Sequence, residues 1–329
     1  MKIEEIIKQP EGRIKAQSTH FRKFEESKDM NLEKKIYYRQ KIILTLLKEN
    51  GGFLSRTDMQ KLMFLFTVMQ ENPVYYFFPY KYGCYSFQLN KDLKTLCNYN
   101  LIEEKNEGWY LNFQNDISYT LYPEDQSLLK KHLQNFGELK GKSLIRYVYK
   151  NYPYFAIKSE IAKDYLSKQD WKKVIEAKPQ KFNFTLFTIG YEAKTLDQYL
   201  NKLIQEDIKV LFDVRKNPIS RKFGFSKNQL KWGVEAIGIE YIHLPELGIE
   251  SNQRKSLISL EDYQKLFDKY KKTTLLASTK DQDLIINVLN EKKRVALTCF
   301  EANPNFCHRL SLAESILEKY GKNLFLEHL

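Results

Sequence analysis

The sequence contains only four cysteines, Cys84, Cys97, Cys299 and Cys307, and their spacing follows no secreted disulfide pattern. That argues against an exported, disulfide-built scaffold and predicts reduced thiols in a cytoplasm. No apolar stretch reaches the roughly 18–20 residues needed to span a bilayer, so no membrane partner is expected. The first residues, "MKIEEIIKQPEGRIK", are charged and lack an apolar signal region, so export is not expected. A P-loop, a Rossmann glycine fingerprint and a dense chelating set of carboxylates are all missing. ATPase, dehydrogenase and two-metal nuclease chemistry therefore lack their usual sequence support. No internal repeat or low-complexity tract is present.

Basic and aromatic residues are plentiful. Across 329 residues, 53 Lys and Arg face 41 Asp and Glu, a net charge of +12. The first 180 residues hold 30 of those basic groups against 22 acids. A positive surface attracts polyanions and speeds encounter with them, although a lysine-rich composition also simply keeps a protein soluble. With 22 Tyr, 21 Phe and 43% hydrophobic residues there is ample core material, and the length predicts two or three domains.

Residues 1–35 are charged and weakly periodic, and are expected to be a helical arm or leader. Ile42, Ile43, Leu46 and Leu47 then mark a helix face that "ENGG" stops. Ser55 or Thr57 can cap a second helix with the stripe Leu62, Leu65, Phe66 and Met69. A short aromatic strand, "VYYFFPY", precedes a third helix bearing Leu89, Leu93 and Leu96. "LIEEKNEGWYL" reads as a hairpin around Asn106 and Gly108. Three helices and a hairpin are the order of a winged helix, which binds DNA in some proteins and docks protein partners in others. The tyrosines beside Lys81, Lys91 and Lys94 are expected mostly to be core, with base stacking the less favoured use. "MQKLMFLF", "YKYGCYSFQLNKDLKTL" and "NLIEE" together resemble, over about 80 residues, the phage-associated antitoxin-like family called Panacea. That resemblance implies a winged-helix-like module of phage defence or toxin–antitoxin settings. The winged-helix-like domain is placed at 36–120 and a helical connector at 121–180.

After Lys181 the pattern changes to apolar strands alternating with amphipathic helices, which predicts an α/β domain at 181–329 with a mostly parallel sheet. The strands are "FTLFTIGY", "IKVLFDV", "IEYIHLP" and "RVALTCF", and "LFLEHL" adds a last one. In such sheets ligands bind beyond the carboxyl ends of the strands. Here those ends carry Gly190 and Tyr191, then Asp213 and Arg215, then His243 and Glu246, then Cys299 and Glu301. If the strands are parallel, all four groups share one rim, and Asp213, Arg215, Glu301 and Arg309 should surround a single cleft.

In "LTCFEANPNFCHRL", Cys307 or His308 falls near the start of the last long helix, where free N–H groups favour anions and Arg309 can clamp one. A thiol placed there beside His308 and Arg309 is a candidate nucleophile, against the plainer reading of a cysteine pair packed in a loop. The seven residues between Cys299 and Cys307 match no compact zinc spacing, so no metal and no cofactor is expected. The loop "DVRKNPISRKFGFSKNQL" interleaves Arg215, Lys216, Arg221, Lys222 and Lys227 with Phe223 and Phe225, suited to phosphate contact and stacking.

Four ordered motifs, "FTIGYEAKTLDQYLNKL", "VLFDVRKNPISRKFGFSKNQL", "IEYIHLPELG" and "LTCFEANPNFCHR", resemble the domain of unknown function 488 family across nearly all of 183–329. The resemblance implies an α/β fold and points to Tyr191, Asp213, Arg215, Ser220, Arg221, Cys299, Glu301, Cys307, His308 and Arg309, without naming a reaction. The expected function is a nucleic-acid- or nucleotide-directed enzyme-like site, with hydrolysis of a glycosidic or phosphoester bond the first class to test. Asp213, Glu301, Cys307 and His308 are its candidate catalytic groups. Tyr191, Arg215, Ser220, Arg221, Cys299 and Arg309 are its candidate substrate or phosphate contacts. DNA is favoured as the partner, with a protein partner the other use of the N-terminal domain. A non-catalytic sensor of modified nucleotides or an antitoxin-like regulator is the alternative.

Overall fold

Helical spacing of Ile42, Ile43, Leu46 and Leu47 becomes the buried face of the first helix, α1 (Tyr38–Glu49). It stops where Gly51 and Gly52 take φ of +78° and +82°, a region that only glycine enters readily. The computed structural model describes residues 35–113, 119–254, 257, 259–321 and 324–329. Apart from Lys35, the arm expected at 1–35 lies outside the described residues. From Ile36 to Leu329 the chain forms one compact unit, within which the segments expected at 36–120, 121–180 and 181–329 all lie.

After α1 come β1 (Phe53–Ser55), α2 (Arg56–Met69), the hairpin β2 (Phe78–Tyr80) with β3 (Gly83–Tyr85), α3 (Phe87–Asn98), and the hairpin β4 (Ile102–Lys105) with β5 (Gly108–Leu111). Ser55 caps α2 by accepting the Asp58 N–H at 3.0 Å. β1 and β4 flank β5 in an antiparallel three-stranded sheet. Leu89, Leu93 and Leu96 are buried on α3, as their spacing predicts. Helices α4 (Pro123–Phe136), α5 (Gly141–Asn151), α6 (Ala162–Tyr165) and α7 (Lys168–Ala177) complete this helix-rich half around one apolar core.

The second half alternates β6 (Thr185–Gly190), α8 (Leu196–Gln205), β7 (Val210–Asp213), α9 (Lys227–Glu235), β8 (Glu240–His243), α10 (Leu260–Tyr270), α11 (Thr279–Lys292), β9 (Arg294–Cys299), α12 (His308–Tyr320) and β10 (Phe325–His328). Its five strands lie in the order β10-β6-β9-β7-β8, and every pairing is parallel. β6 and β9 are buried along their whole length, which is why they read as unbroken apolar runs. Strand alternation sends Phe187, Leu211 and Ala296 to the face covered by α8 and α9. Phe212, Val295 and Leu297 go to the opposite face, against α11 and α12.

The two halves are joined by a buried polar contact as well as by apolar packing. Phe78, Tyr80 and Phe87 from the helix-rich half belong to the core beneath α8 and α9, and Phe87 meets Trp232 at 5.0 Å between ring centroids. Asp197, in the first turn of α8, accepts the N–H groups of Phe87 (2.8 Å) and Gln88 (3.2 Å) and the Ser86 hydroxyl (3.0 Å). A carboxylate from one half thus caps the start of α3 in the other, satisfying donors that a helix end leaves open.

Burial raises the Asp197 carboxyl to about 7 from an ordinary 3.8, although its three donors pull the other way. The folded chain therefore holds a proton that the unfolded chain releases first. Stability from this group is complete below about pH 4 and is lost as pH rises through about 7. Asp197→Asn, which cannot titrate there, should lack this component, whose slope is at most about 1.4 kcal/mol per pH unit. Urea midpoints of both proteins from pH 4 to 8 check it, and parallel profiles would refute it.

Candidate functional site

The rim expected at the carboxyl ends of β6, β7, β8 and β9 is present, but its polar groups divide between the two faces of the sheet. In register, Asp213 of β7 lies opposite Thr298 of β9, so Cys299 stands one residue further along. Because side chains alternate, Asp213 points with Leu211 toward α8 and α9, and Cys299 points with Leu297 toward α12. The single cleft expected around Asp213, Arg215, Glu301 and Arg309 is therefore two clusters with a sheet between them.

On the α8–α9 face, Asp213 and Arg215 form a pair whose side chains are 0% and 6% exposed. Asp213 Oδ1 accepts from Arg215 Nε (2.8 Å) and from the Arg215 backbone N–H (3.2 Å). Oδ2 accepts from Arg215 Nη2 (2.5 Å) and Tyr241 (2.6 Å). Burial, and then Asp213, push the Tyr241 hydroxyl far above its usual range, which keeps it a donor. Arg215 Nη1 continues to the Tyr191 hydroxyl (3.1 Å) and the Phe225 carbonyl (2.8 Å), while the rings of Tyr191 and Phe225 stack at 4.4 Å. Every oxygen and guanidinium nitrogen in this pair has a protein partner. The arrangement fixes the loop after β7 and leaves Asp213 no lone pair facing a substrate. Ser220 belongs to the same loop: its carbonyl accepts from Ser226 Oγ (2.8 Å) and its Oγ from the Lys222 N–H (3.1 Å), while Arg221 is exposed.

On the other face, Cys299, Glu301, Cys307 and His308 gather around Arg254, a residue that the sequence did not single out. Arg254 Nη1 donates to Glu301 Oε1 at 2.7 Å, and its Nη2 lies 2.7 Å from His308 Nδ1. His308 Nε2 is 3.0 Å from the Val214 carbonyl. A carbonyl only accepts and a guanidinium only donates, so the proton sits on Nε2 and the Nδ1 lone pair faces the cluster. Both cysteine sulfurs lie 3.9 Å from that Nδ1, and Cys299 Sγ is 3.4 Å from Glu301 Oε2.

A hydrogen bond from Cys307 holds the Cys299 thiol well below its usual range, against the cost of burial, and Arg254 adds to the effect. Burial pushes the Cys307 thiol well above its range. Within this coupled pair, Cys299 at the strand end is the thiol pushed toward ionisation and Cys307 at the helix start the one pushed away from it. Glu301 is also raised, by burial first and then by Cys299. Two ionised groups cannot share a hydrogen bond, so the 3.4 Å contact between Cys299 Sγ and Glu301 Oε2 needs a proton on one of the two.

Arg309 does clamp two oxygens, but they are the carbonyls of Glu301 (2.5 Å) and Ala302 (3.0 Å). This draws the 300–302 loop across the end of β6, where a Cβ on Gly190 would lie 1.8 Å from the Glu301 carbonyl oxygen. Glu192 fastens the crossing, with its N–H on Phe300 O and its Oε2 accepting the Ala302 N–H, each at 2.9 Å. Close by, Lys194 reaches the Gly190 carbonyl (3.2 Å) and Lys222 the Tyr191 carbonyl (2.9 Å). Lys194 is lowered by burial and then by Arg309, Lys202 and Lys222, which marks a concentration of positive charge at this edge of the rim.

A five-stranded parallel α/β domain with polar strand ends is the class that this fold and site define. Residues 195–316 match the family model described as "Domain of unknown function DUF488", so this part of the chain carries a domain of that family. The match spans the 213–226 loop and the Cys299–Arg309 segment and begins after Gly190 and Tyr191. No curated protein and no solved structure matches the chain.

Removing one partner of a buried ion pair leaves the other charge uncompensated, at a cost of about 3–5 kcal/mol. Asp213→Ala should lower stability by that order, whereas the exposed Arg221→Ala should stay within about 0.5 kcal/mol of the parent. Chemical denaturation of the three proteins checks this, and a neutral Asp213→Ala would show that the pair does not hold the loop.

Proposed function

We propose that the α/β domain acts on a nucleotide or nucleic acid as an enzyme-like domain, with Glu301 as its acid–base group. Lys194, Lys222 and Arg221 are its anion contacts. The observation that carries this reading is the loop crossing at Gly190, where the Glu301 backbone packs beside the Gly190 and Tyr191 carbonyls that Lys194 and Lys222 hold. Glu301 keeps 19% of its side-chain surface exposed and has a raised pKa, the combination a proton-transfer group needs. Cys299, Cys307 and His308 lie behind it. Asp213, Arg215 and Arg309 take positioning roles in this reading, because the carboxylate oxygens of Asp213 and the terminal guanidinium nitrogens of both arginines are engaged within the protein. Hydrolysis of a glycosidic or phosphoester bond remains the first class to test. The four free cysteines fit a reducing, cytoplasmic setting.

The order α1, β1, α2, α3, β4, β5 supports reading the helix-rich half as winged-helix-like, serving DNA or a protein partner in a phage-defence setting. One observation favours the regulatory alternative for this half. The start of α3, which a groove-reading helix would present to bases, is capped by Asp197 and packed on Trp232. Nucleic acid contact through α3 would need the two halves to part, so binding at the α/β rim is the reading we carry forward.

Low-salt titration with labelled DNA and RNA oligonucleotides tests the partner. Affinity should fall steeply with salt, and Lys194→Ala with Lys222→Ala should weaken it by about tenfold or more and flatten the salt slope. No binding at low salt would end the nucleic-acid reading. Glu301→Gln should keep binding and fold while losing any turnover of oligonucleotides or nucleotides followed by chromatography. Turnover unchanged in Glu301→Gln would remove Glu301 from the chemistry.

A further inference from the structure

Cys299 and Cys307 are separated by seven residues, a gap that speaks against zinc if the two must sit on one tight knuckle. The fold does not use a knuckle. Cys299 closes β9, the 300–306 segment loops out, and a short turn at Pro304–Phe306 returns the chain so that Cys307 caps α12 beside it. The ligand atoms of Cys299, Cys307 and His308 consequently all lie within 4.8 Å of one another, and all three residues are buried.

We propose that Cys299 Sγ, Cys307 Sγ and His308 Nδ1 are the ligands of a divalent cation of the zinc class, with the fourth position left to water. Ordinary zinc bond lengths in a tetrahedron put sulfur about 3.6 Å from a nitrogen ligand. Each sulfur here lies 3.9 Å from Nδ1, a few tenths of an ångström more than that, and three protein ligands with one water make an ordinary open site. The histidine is already in the state that a metal requires. Its Nε2–H is held by the Val214 carbonyl, a bond that aims the other nitrogen at a metal.

Arg254 holds the same lone pair in the present arrangement, with Nη2 donating to Nδ1. It sits at the end of a short helical turn, Ser251–Arg254, and its side chain is 28% exposed, so Nη2 can withdraw while Nη1 keeps Glu301 Oε1. The two thiolates would then be balanced by the divalent cation, while Glu301 stays paired with Arg254. Loading releases the thiol protons to solvent, and no oxidant or reductant is involved. The inference concerns the ligands alone and holds whether or not the rim turns over a nucleotide.

Chelator-stripped, full-length protein with its thiols verified as reduced is titrated with Co2+ alone. We expect one cobalt per chain, with thiolate-to-cobalt charge-transfer absorption and tetrahedral ligand-field bands that added Zn2+ abolishes. Cys299→Ser and Cys307→Ser should each lose most of the charge-transfer band, and His308→Ala should weaken binding by about tenfold or more. Arg254→Ala, which removes the competing cation without touching a ligand, should bind cobalt at least as tightly as the parent. Absence of the charge-transfer band in both the parent and Arg254→Ala overturns the proposal. So does a band that survives in the Cys299→Ser, Cys307→Ser double variant, since it would then come from Cys84 or Cys97.

Discussion

The buried pair of Asp213 and Arg215 is the constraint on which both faces of the sheet depend. It closes around Val214, the residue between them, and so fixes the direction of the Val214 carbonyl. That carbonyl points to the other face and takes the Nε2 proton of His308. The tautomer of His308, and with it the lone pair that faces the two thiols, is thereby set from the far side of the sheet. An ion pair with no exposed oxygen has no direct role in chemistry, but it determines what the histidine opposite can do. A buried pair held for such a positional purpose need not add net stability over an apolar replacement, because desolvation offsets much of the attraction.

A second buried carboxyl, Asp197, does for the two halves of the chain what Asp213 does for the rim. It satisfies the first donors of α3 from the first turn of α8, and the packing of Phe87 on Trp232 closes the same junction. Additional bonds, from Tyr154 to Asn201 and from Lys158 to the Ile237 carbonyl, extend the contact along α8 and α9. Many of the aromatic residues around 75–87 are consequently core and not a stacking surface. Lys91 lies 4.2 Å from the centroid of the Phe223 ring, a face it covers within the protein.

Much of this was legible in the sequence, for a physical reason that also marks where legibility stops. Unbroken apolar runs such as "RVALTC", the glycines after α1 and the cap at Ser55 report local backbone preference and burial, which composition encodes directly. The shared rim also follows once the strands are read as parallel. The division of that rim does not, because it depends on register. Asp213 faces Thr298, not Cys299, and a shift of one residue sends a side chain to the opposite face. Arg254 was hidden for a related reason: nothing local distinguishes it from the other basic residues in the long segment after β8. The cysteine spacing does not show the approach of Cys299 and Cys307, because it measures distance along the chain, whereas a strand end and a helix cap bring them together across a loop.

The two clusters are separate in their side chains yet joined through backbone at one place, where the Glu301 carbonyl presses on Gly190. Any side chain at 190 would lift the 300–302 loop, and lifting it moves Glu301 away from Cys299 on one side and loosens the carbonyls that Arg309 holds on the other. Arg309 Nε, buried without a partner, shows how strongly this geometry is imposed, since its two terminal nitrogens are satisfied at the expense of the third. An unpaired buried donor costs on the order of 1–3 kcal/mol, which the surrounding contacts must offset. The loop is therefore fixed between the clamp and the glycine, with Glu301 as the polar side chain of that loop that reaches both Cys299 and solvent.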